Sequence, residues 1–278
     1  MIVHQPFSYQ IGSFTFTGFG VAVFCGFWIA QIIAQRELLR RGHDASFIGD
    51  CVLAAVVGSL VGAKLYYVIL VHDINALWSR GGFVFWGGLM GGIAGVLLLI
   101  AVRKLPIWRI AEVAGLGLPA AYSVGRTGCW AVGDDYGRMW VSRFAVSFPN
   151  GAPPSTVANM HDLFGLPMPA SLAPGTVVSV YPTQLMEVAL GFAMFLIVWR
   201  LRDHEHGEGW LFGVYMVLAG IERFLIEFLR AKDDRFFGGI TMAQLFSIVF
   251  IIAGVVWMQS RRARAGRAGI HAPAPQRV

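Results

Sequence analysis

The sequence predicts an all-α integral membrane protein with about seven transmembrane helices, and three observations carry that reading. Of 278 residues 56% are hydrophobic and 14% charged, with a mean hydropathy of +0.62; a soluble domain carries about a quarter charged residues. Seven apolar stretches reach the ~20 residues that a helix needs to cross the hydrocarbon core. The basic residues gather at the ends of those stretches, as Lys and Arg do around membrane spans. That placement excludes nucleic acid as the target of the formal +6 charge. No cleavable signal peptide is expected, because Met1 to Gln10 lacks a basic region and the apolar segment after it is long enough to span.

In order, the predicted spans are 11–35, 47–71, 81–102, 107–131, 182–201, 209–230 and 239–259. The first, third and seventh carry no charge. Apart from the basic residues at their ends, the second holds Asp50 and Lys64, the fourth Glu112 and Arg126, the fifth Glu187, and the sixth Glu222, Arg223 and Glu227. Glycines recur at four-residue spacing in the third span (Gly87, Gly91, Gly95) and in the second (Gly58, Gly62), leaving a face on which another helix can approach closely. Between the fourth and fifth spans runs a Pro- and Gly-rich stretch, 133–180, too long to be a mere linker. From Ser260 onward the chain is basic with little to bury, so a disordered tail over 260–278 is expected. Three cysteines (Cys25, Cys51, Cys129) lie in apolar runs without a CxxC pair, which suggests no disulfide framework.

Orientation follows from the basic residues. Arg36, Arg40 and Arg41, then Arg103, Lys104 and Arg109, then Arg200 and Arg202, and five arginines of the tail fall on one side. Arg80, Arg138, Arg143, Arg230, Lys232 and Arg235 fall on the other. The richer side is read as cytoplasmic, giving an outside N-terminus, an inside C-terminus and an extracytoplasmic 133–180 loop.

A charge inside the bilayer persists where it is paired, wet or used, since insertion costs ~2.5–3.5 kcal/mol. Arg223 and Glu227 are four apart and share a helix face, with Arg230 one turn further. Arg126 has no acid within a helical turn, so its partner lies on another helix, in the following loop, or in a ligand. A guanidinium near a membrane surface suits a lipid phosphate, which it grips through two parallel hydrogen bonds. Asp134 and Asp135 follow Gly133 and precede Gly137, a pattern for a tight turn that aims carboxylates back at the membrane or simply sits in solvent. No HExxH and no nucleotide-type glycine loop between strand and helix is present, so neither a metal nor another cofactor is expected.

The stretch GRTGCWAVGDDYG (125–137) resembles the signature of the prolipoprotein diacylglyceryl transferase family. Further blocks follow in the family's order: FWGGLMGGIAG, YPTQLMEVALG, GIERFLIEFLR and GITMAQLFSI, together covering about residues 11–259. The resemblance implies a multi-pass protein of the bacterial inner membrane that moves a diacylglyceryl group from phosphatidylglycerol to the lipobox cysteine thiol of a precursor protein, releasing glycerol-1-phosphate. It implies one transferase domain over 1–259, with Arg126, Asp134 and Arg223 as catalytic residues. Arg126, Gly137, Lys64 and Trp86 would meet the phosphatidylglycerol, with Gly137 as a turn glycine.

This chain departs from the family at Trp86, where a histidine is usual, and at Tyr181, Cys129, Phe19 and Lys64. No histidine lies in a predicted span, so the thiol's base is left to Asp134 or Asp135, or to electrostatic support from Arg126 and Lys64. A paralogous transferase with another acceptor, or a lipid-binding module without activity, are the alternatives that these departures admit.

Overall fold

The computed structural model describes residues 2–11, 14–79, 81–232 and 239–270. Arg80, Arg235 and residues 271–278, which entered the orientation argument, lie outside them. Eight α-helices are found among the described residues: α1 (Gly18–Arg40), α2 (Ile48–Val71), α3 (Phe85–Arg103), α4 (Ile107–Val132), α5 (Val157–Asp162), α6 (Thr183–Arg200), α7 (Trp210–Ile226) and α8 (Met242–Ile270). Five of them, α1, α2, α3, α6 and α8, are long and apolar enough to cross a membrane. Of the two other predicted spans, α4 is long enough but carries Arg109, Glu112 and Arg126. The second, α7, has 17 residues and reaches only ~26 Å.

The chain divides into two compact units, residues 31–110 and residues 1–30 with 111–278. In the first, α2 and α3 pack backbone to backbone through the glycines that the sequence singled out. A Cβ placed on Gly62 would lie 2.8 Å from the Gly91 Cα, and one on Gly95 would lie 2.6 Å from the Ala54 carbonyl oxygen. Their outward faces keep large apolar side chains exposed, Leu53, Leu60, Ile69, Leu98 and Val102 among them. Such a surface suits hydrocarbon as its solvent. Asp50 and Arg103 form an ion pair, and Glu37 at the end of α1 accepts hydrogen bonds from Arg40 and Arg41, each with a 2.7 Å contact.

In the second unit the Glu112 carboxylate of α4 contacts His204 Nε2 at 2.7 Å. It also accepts from the Gly209 and Leu211 backbone N–H groups at 2.8 and 3.2 Å. This buried acid thereby ties α4 to the turn between α6 and α7. Close glycine contacts recur, with a Cβ on Gly115 falling 2.6 Å from the Phe212 nitrogen.

The 133–180 stretch is folded rather than extended. Phe148, Met160, Val178, Val180 and Tyr136 bury one another in a small apolar core of their own. A short sheet orders β1 (Ile2–Val3) parallel to β4 (Val146–Ser147), which pairs antiparallel with β5 (Ser179–Val180). Residues 8–11 (β2) and 14–17 (β3) form an antiparallel hairpin ahead of α1. The first span accordingly starts at Gly18 rather than at residue 11. At the other end, α8 continues through Ile270, past the expected start of disorder at Ser260. The run RRARAGRA, Arg261 to Ala268, is rich in Arg and Ala, both strong helix formers.

Candidate active site

The last turns of α4 carry Tyr122, Arg126 and Cys129. The helix closes where the Gly133 and Asp134 N–H groups both donate to the Cys129 carbonyl, at 2.9 and 3.2 Å. Gly133 (φ +71°) and Asp135 (φ +55°) take left-handed backbone conformations, at a cost of ~1–2 kcal/mol for a non-glycine residue such as Asp135. Two side chains of α6 hold that turn in place. Thr183 Oγ1 donates to the Asp135 carbonyl at 2.8 Å and Gln184 Nε2 to the Asp134 carbonyl at 2.6 Å.

Residues 136–138 then thread between two other backbones. Gly137 N donates to the Tyr181 carbonyl at 2.9 Å, and Arg138 N donates to the Leu229 carbonyl at 2.8 Å. A Cβ on Gly137 would meet Tyr181 Cβ at 2.7 Å and Thr183 Cγ2 at 2.9 Å. Close approach, not a left-handed turn, is what requires glycine at this position; the turn lies at residues 133 and 135.

Arg126 is buried and its two partners come from the places the sequence left open, another helix and the following loop. One guanidinium nitrogen donates to Glu187 of α6; Nη1 donates to Asp135 Oδ2 at 2.9 Å and lies 3.3 Å from Cys129 Sγ. Asp135 is shared: its other oxygen accepts from Arg230 Nη2 at 2.7 Å. Arg230 also stands 3.9 Å from Glu187 and 3.9 Å from Glu227, and Glu227 pairs with Arg223 at 2.6 Å. Three guanidiniums from α4, α7 and the segment after α7 are thus strung together by Asp135, Glu187 and Glu227. The Arg126 Nε is buried and, among the described residues, has no hydrogen-bond partner.

The two adjacent aspartates have opposite electrostatics. Burial raises Asp134 and the neighbouring Asp135 charge adds to it, leaving its carboxyl pushed up to about 6. Burial also opposes ionisation of Asp135, but Arg230 and Arg126 outweigh it and hold that carboxyl down at about 2. Asp135 is locked as a counter-ion, while Asp134 can take up and release a proton and has one buried oxygen with no hydrogen-bond partner among the described residues. The Cys129 thiol and the two aspartate carboxylates offer ligand atoms within 4.8 Å of one another. Arg126 Nη1 already contacts the thiol and Asp135, so the positive charge of this group is supplied by the protein.

Arg126, Asp134, Gly137 and Arg223 therefore fall in one network. Lys64 and Trp86 belong to the other compact unit. Lys64 Nζ donates to the Ser79 and Gly81 carbonyls at 2.7 and 2.6 Å and to Ser79 Oγ at 2.8 Å. It lies at an open pocket of about 350 Å³ lined by Leu60, Val61, Leu65, Leu77 and Phe83. Trp86 is half-exposed, its ring edge-on to Phe85 at 5.8 Å. Glu187 and Arg230 are site residues to which sequence reasoning gave no role, and Asp135, offered there as an alternative base, is instead the shared counter-ion of two arginines. The spacing of Arg223, Glu227 and Arg230 and the acid closing YPTQLME were the available signals. Of the six histidines in the described residues, none falls in the five apolar helices.

Five helices long and apolar enough to cross a membrane, together with a buried guanidinium–carboxylate network, define a multi-pass membrane protein. A family model described as prolipoprotein diacylglyceryl transferase matches residues 6–259, and the chain belongs to that family. It is 29% identical over 280 residues to a phosphatidylglycerol–prolipoprotein diacylglyceryl transferase of Symbiobacterium thermophilum, covering 94% of this chain and 96% of that protein. The Burkholderia cenocepacia protein of the same name is 28% identical, covering 95% and 98%, and that of Clostridium tetani 24% identical, covering 90% and 95%.

Proposed function

We propose that this protein transfers the diacylglyceryl group of phosphatidylglycerol to the lipobox cysteine thiol of a precursor protein, releasing glycerol-1-phosphate. The observation that carries the proposal is the Arg126–Asp135–Arg230 network, with Glu187 closing it, at the end of α4 in a chain of this family. Arg126 is the phosphate-holding cation, its Nε left without an acceptor among the described residues. In the reaction the thiol sulfur attacks the glyceryl carbon bearing the phosphate ester. The C–O bond breaks, its electron pair leaves on the phosphate oxygen, and the new charge is met by Arg126 and, through the shared acids, by Arg230 and Arg223. The thiol proton goes to the Asp134 carboxylate, whose pKa is raised to about 6 and which pairs with no arginine among the described residues, rather than to Asp135, which two arginines hold at about 2. Gly137 holds this turn against residues 181 and 229, and Lys64 with Trp86 serves the lipid in the other unit.

The same reading takes seven spans, with α4 and α7 crossing as well. The N-terminus is outside the bacterial inner membrane, the 133–180 loop is extracytoplasmic, and the basic end of the chain from 260 is in the cytoplasm. It treats 1–259 as the transferase domain. The test is purified protein in phosphatidylglycerol vesicles with a lipobox peptide. The peptide gains one diacylglyceryl group with wild type and, with Arg126→Ala, gains it at least ~10³-fold more slowly. Phosphatidylglycerol consumption without a peptide adduct points instead to another acceptor. Neither signal leaves a lipid-binding protein.

A further inference from the structure

Behind Arg126 lies a hydrogen-bonded string that the transfer step does not use. Tyr122, one turn earlier on α4, places its hydroxyl oxygen 3.0 Å from Glu222 Oε1 and 3.3 Å from Glu187 Oε1. Both carboxyls are buried, Glu187 at 1% exposure and Glu222 at 6%. A phenol has one hydrogen and can donate it to only one of them. The contact with the second is favourable only if that carboxyl brings a hydrogen of its own.

The surroundings decide which carboxyl does so. Glu187 is paired with Arg126 and has Arg230 at 3.9 Å. Glu222, among the described residues, forms no ion pair, and its one hydrogen-bond contact is Tyr122. The ionisable groups facing Glu222 are Tyr122 and Arg126 from α4, Glu187 from α6, and Tyr215 and Arg223 from its own helix. Arg126 is committed to Glu187 and Asp135, and Arg223 to Glu227. The packed helix α8 brings no ionisable side chain between Met242 and Gln259. A carboxylate withdrawn from water beside another carboxylate, with no cation of its own, is far costlier than the neutral acid.

We propose that Glu222 is a positioning residue that works as a neutral acid. Its O–H donates to the Tyr122 oxygen, the Tyr122 O–H donates to Glu187, and Glu187 is thereby fixed against Arg126. This rests on the reading of Arg126 as the phosphate-holding cation. When Glu222 loses its proton, the phenol is contested by two anions, Glu187 loses a donor, and the guanidinium loses its fixed partner.

The experiment compares pH profiles of kcat and KM for wild type, Glu222→Gln, Glu222→Ala and Tyr122→Phe, using phosphatidylglycerol vesicles and a lipobox peptide. Wild-type kcat is expected to fall on the alkaline side. Glu222→Gln, whose amide N–H replaces the acid O–H, keeps kcat within about threefold and loses that alkaline fall. Glu222→Ala and Tyr122→Phe each lower kcat about tenfold, with peptide KM unchanged. Infrared spectra of the same proteins supply a readout independent of turnover. A buried carboxylic-acid carbonyl band is expected in wild type and absent from Glu222→Gln. An unchanged alkaline fall in Glu222→Gln overturns the proposal, and so does a wild-type spectrum without the band. If wild type transfers nothing, the transfer reading fails while the band still decides the protonation of Glu222.

Discussion

The α2–α3 pair and the Arg126 network solve the same problem by opposite means. Both must hold helices together where water is scarce and the hydrophobic effect offers little between helices. In the pair, side chains are removed, so that Gly62 and Gly91 bring two backbones into contact and nothing polar needs a partner. In the network, charges are added and acids are shared: Asp135 serves two arginines, and Glu187 serves Arg126 with Tyr122 and Arg230 nearby. The first arrangement is rigid and chemically mute. The second keeps buried guanidiniums inside a membrane protein by giving each an acid, and the proposed phosphate site rests on that arrangement.

Breaking the network at its titrating member has the largest effect expected beyond loss of Arg126 itself. Asp134→Asn lowers kcat/KM about 10²-fold at neutral pH, read from initial rates of peptide lipidation. Asp134 must be ionised to accept the thiol proton, and its carboxyl is raised to about 6. Wild-type kcat/KM therefore falls as pH drops through about 6, and the Asn variant loses that limb.

Breaking the glycine pair instead costs stability without touching the chemistry. Gly91→Leu forces the α2 and α3 backbones apart and lowers stability by ~1–3 kcal/mol. A thermal-unfolding scan in detergent should show a clear drop in midpoint, while the properly folded fraction keeps its pH profile. The smallest effect distinguishes a prop from a participant. Thr183→Val removes only the hydrogen bond to the Asp135 carbonyl, worth ~1 kcal/mol. It should slow lipidation severalfold and leave the pH dependence unchanged, as a comparison of rate profiles will report.

The same contrast explains what could be read from the sequence. The glycine face is a local pattern at four-residue spacing, and it is found in the structure where the sequence put it. The helices likewise follow from apolar runs, though the hairpin shortens the first and the Arg–Ala stretch lengthens the last. The pairings that tie the network across helices join distant residues, Arg126 with Glu187 at 61 positions and Tyr122 with Glu222 at 100. No local periodicity encodes such pairings. Arg126 was legible because an arginine in an apolar run lacked a nearby acid, whereas its partners were hidden until the fold closed. Asp134 and Asp135 look alike in sequence; the folded contacts of Asp135 with Arg126 and Arg230 tell the counter-ion from the candidate base.

The central claim is a single group transfer, so the most direct measurement counts both products of one reaction. Purified protein in phosphatidylglycerol vesicles is mixed with a lipobox peptide, and the peptide adduct and released glycerol phosphate are quantified together by mass spectrometry. The account predicts equal amounts of the two, rising together with time and both lost in Arg126→Ala. Glycerol phosphate without adduct, or adduct formation undiminished in Arg126→Ala, would contradict it.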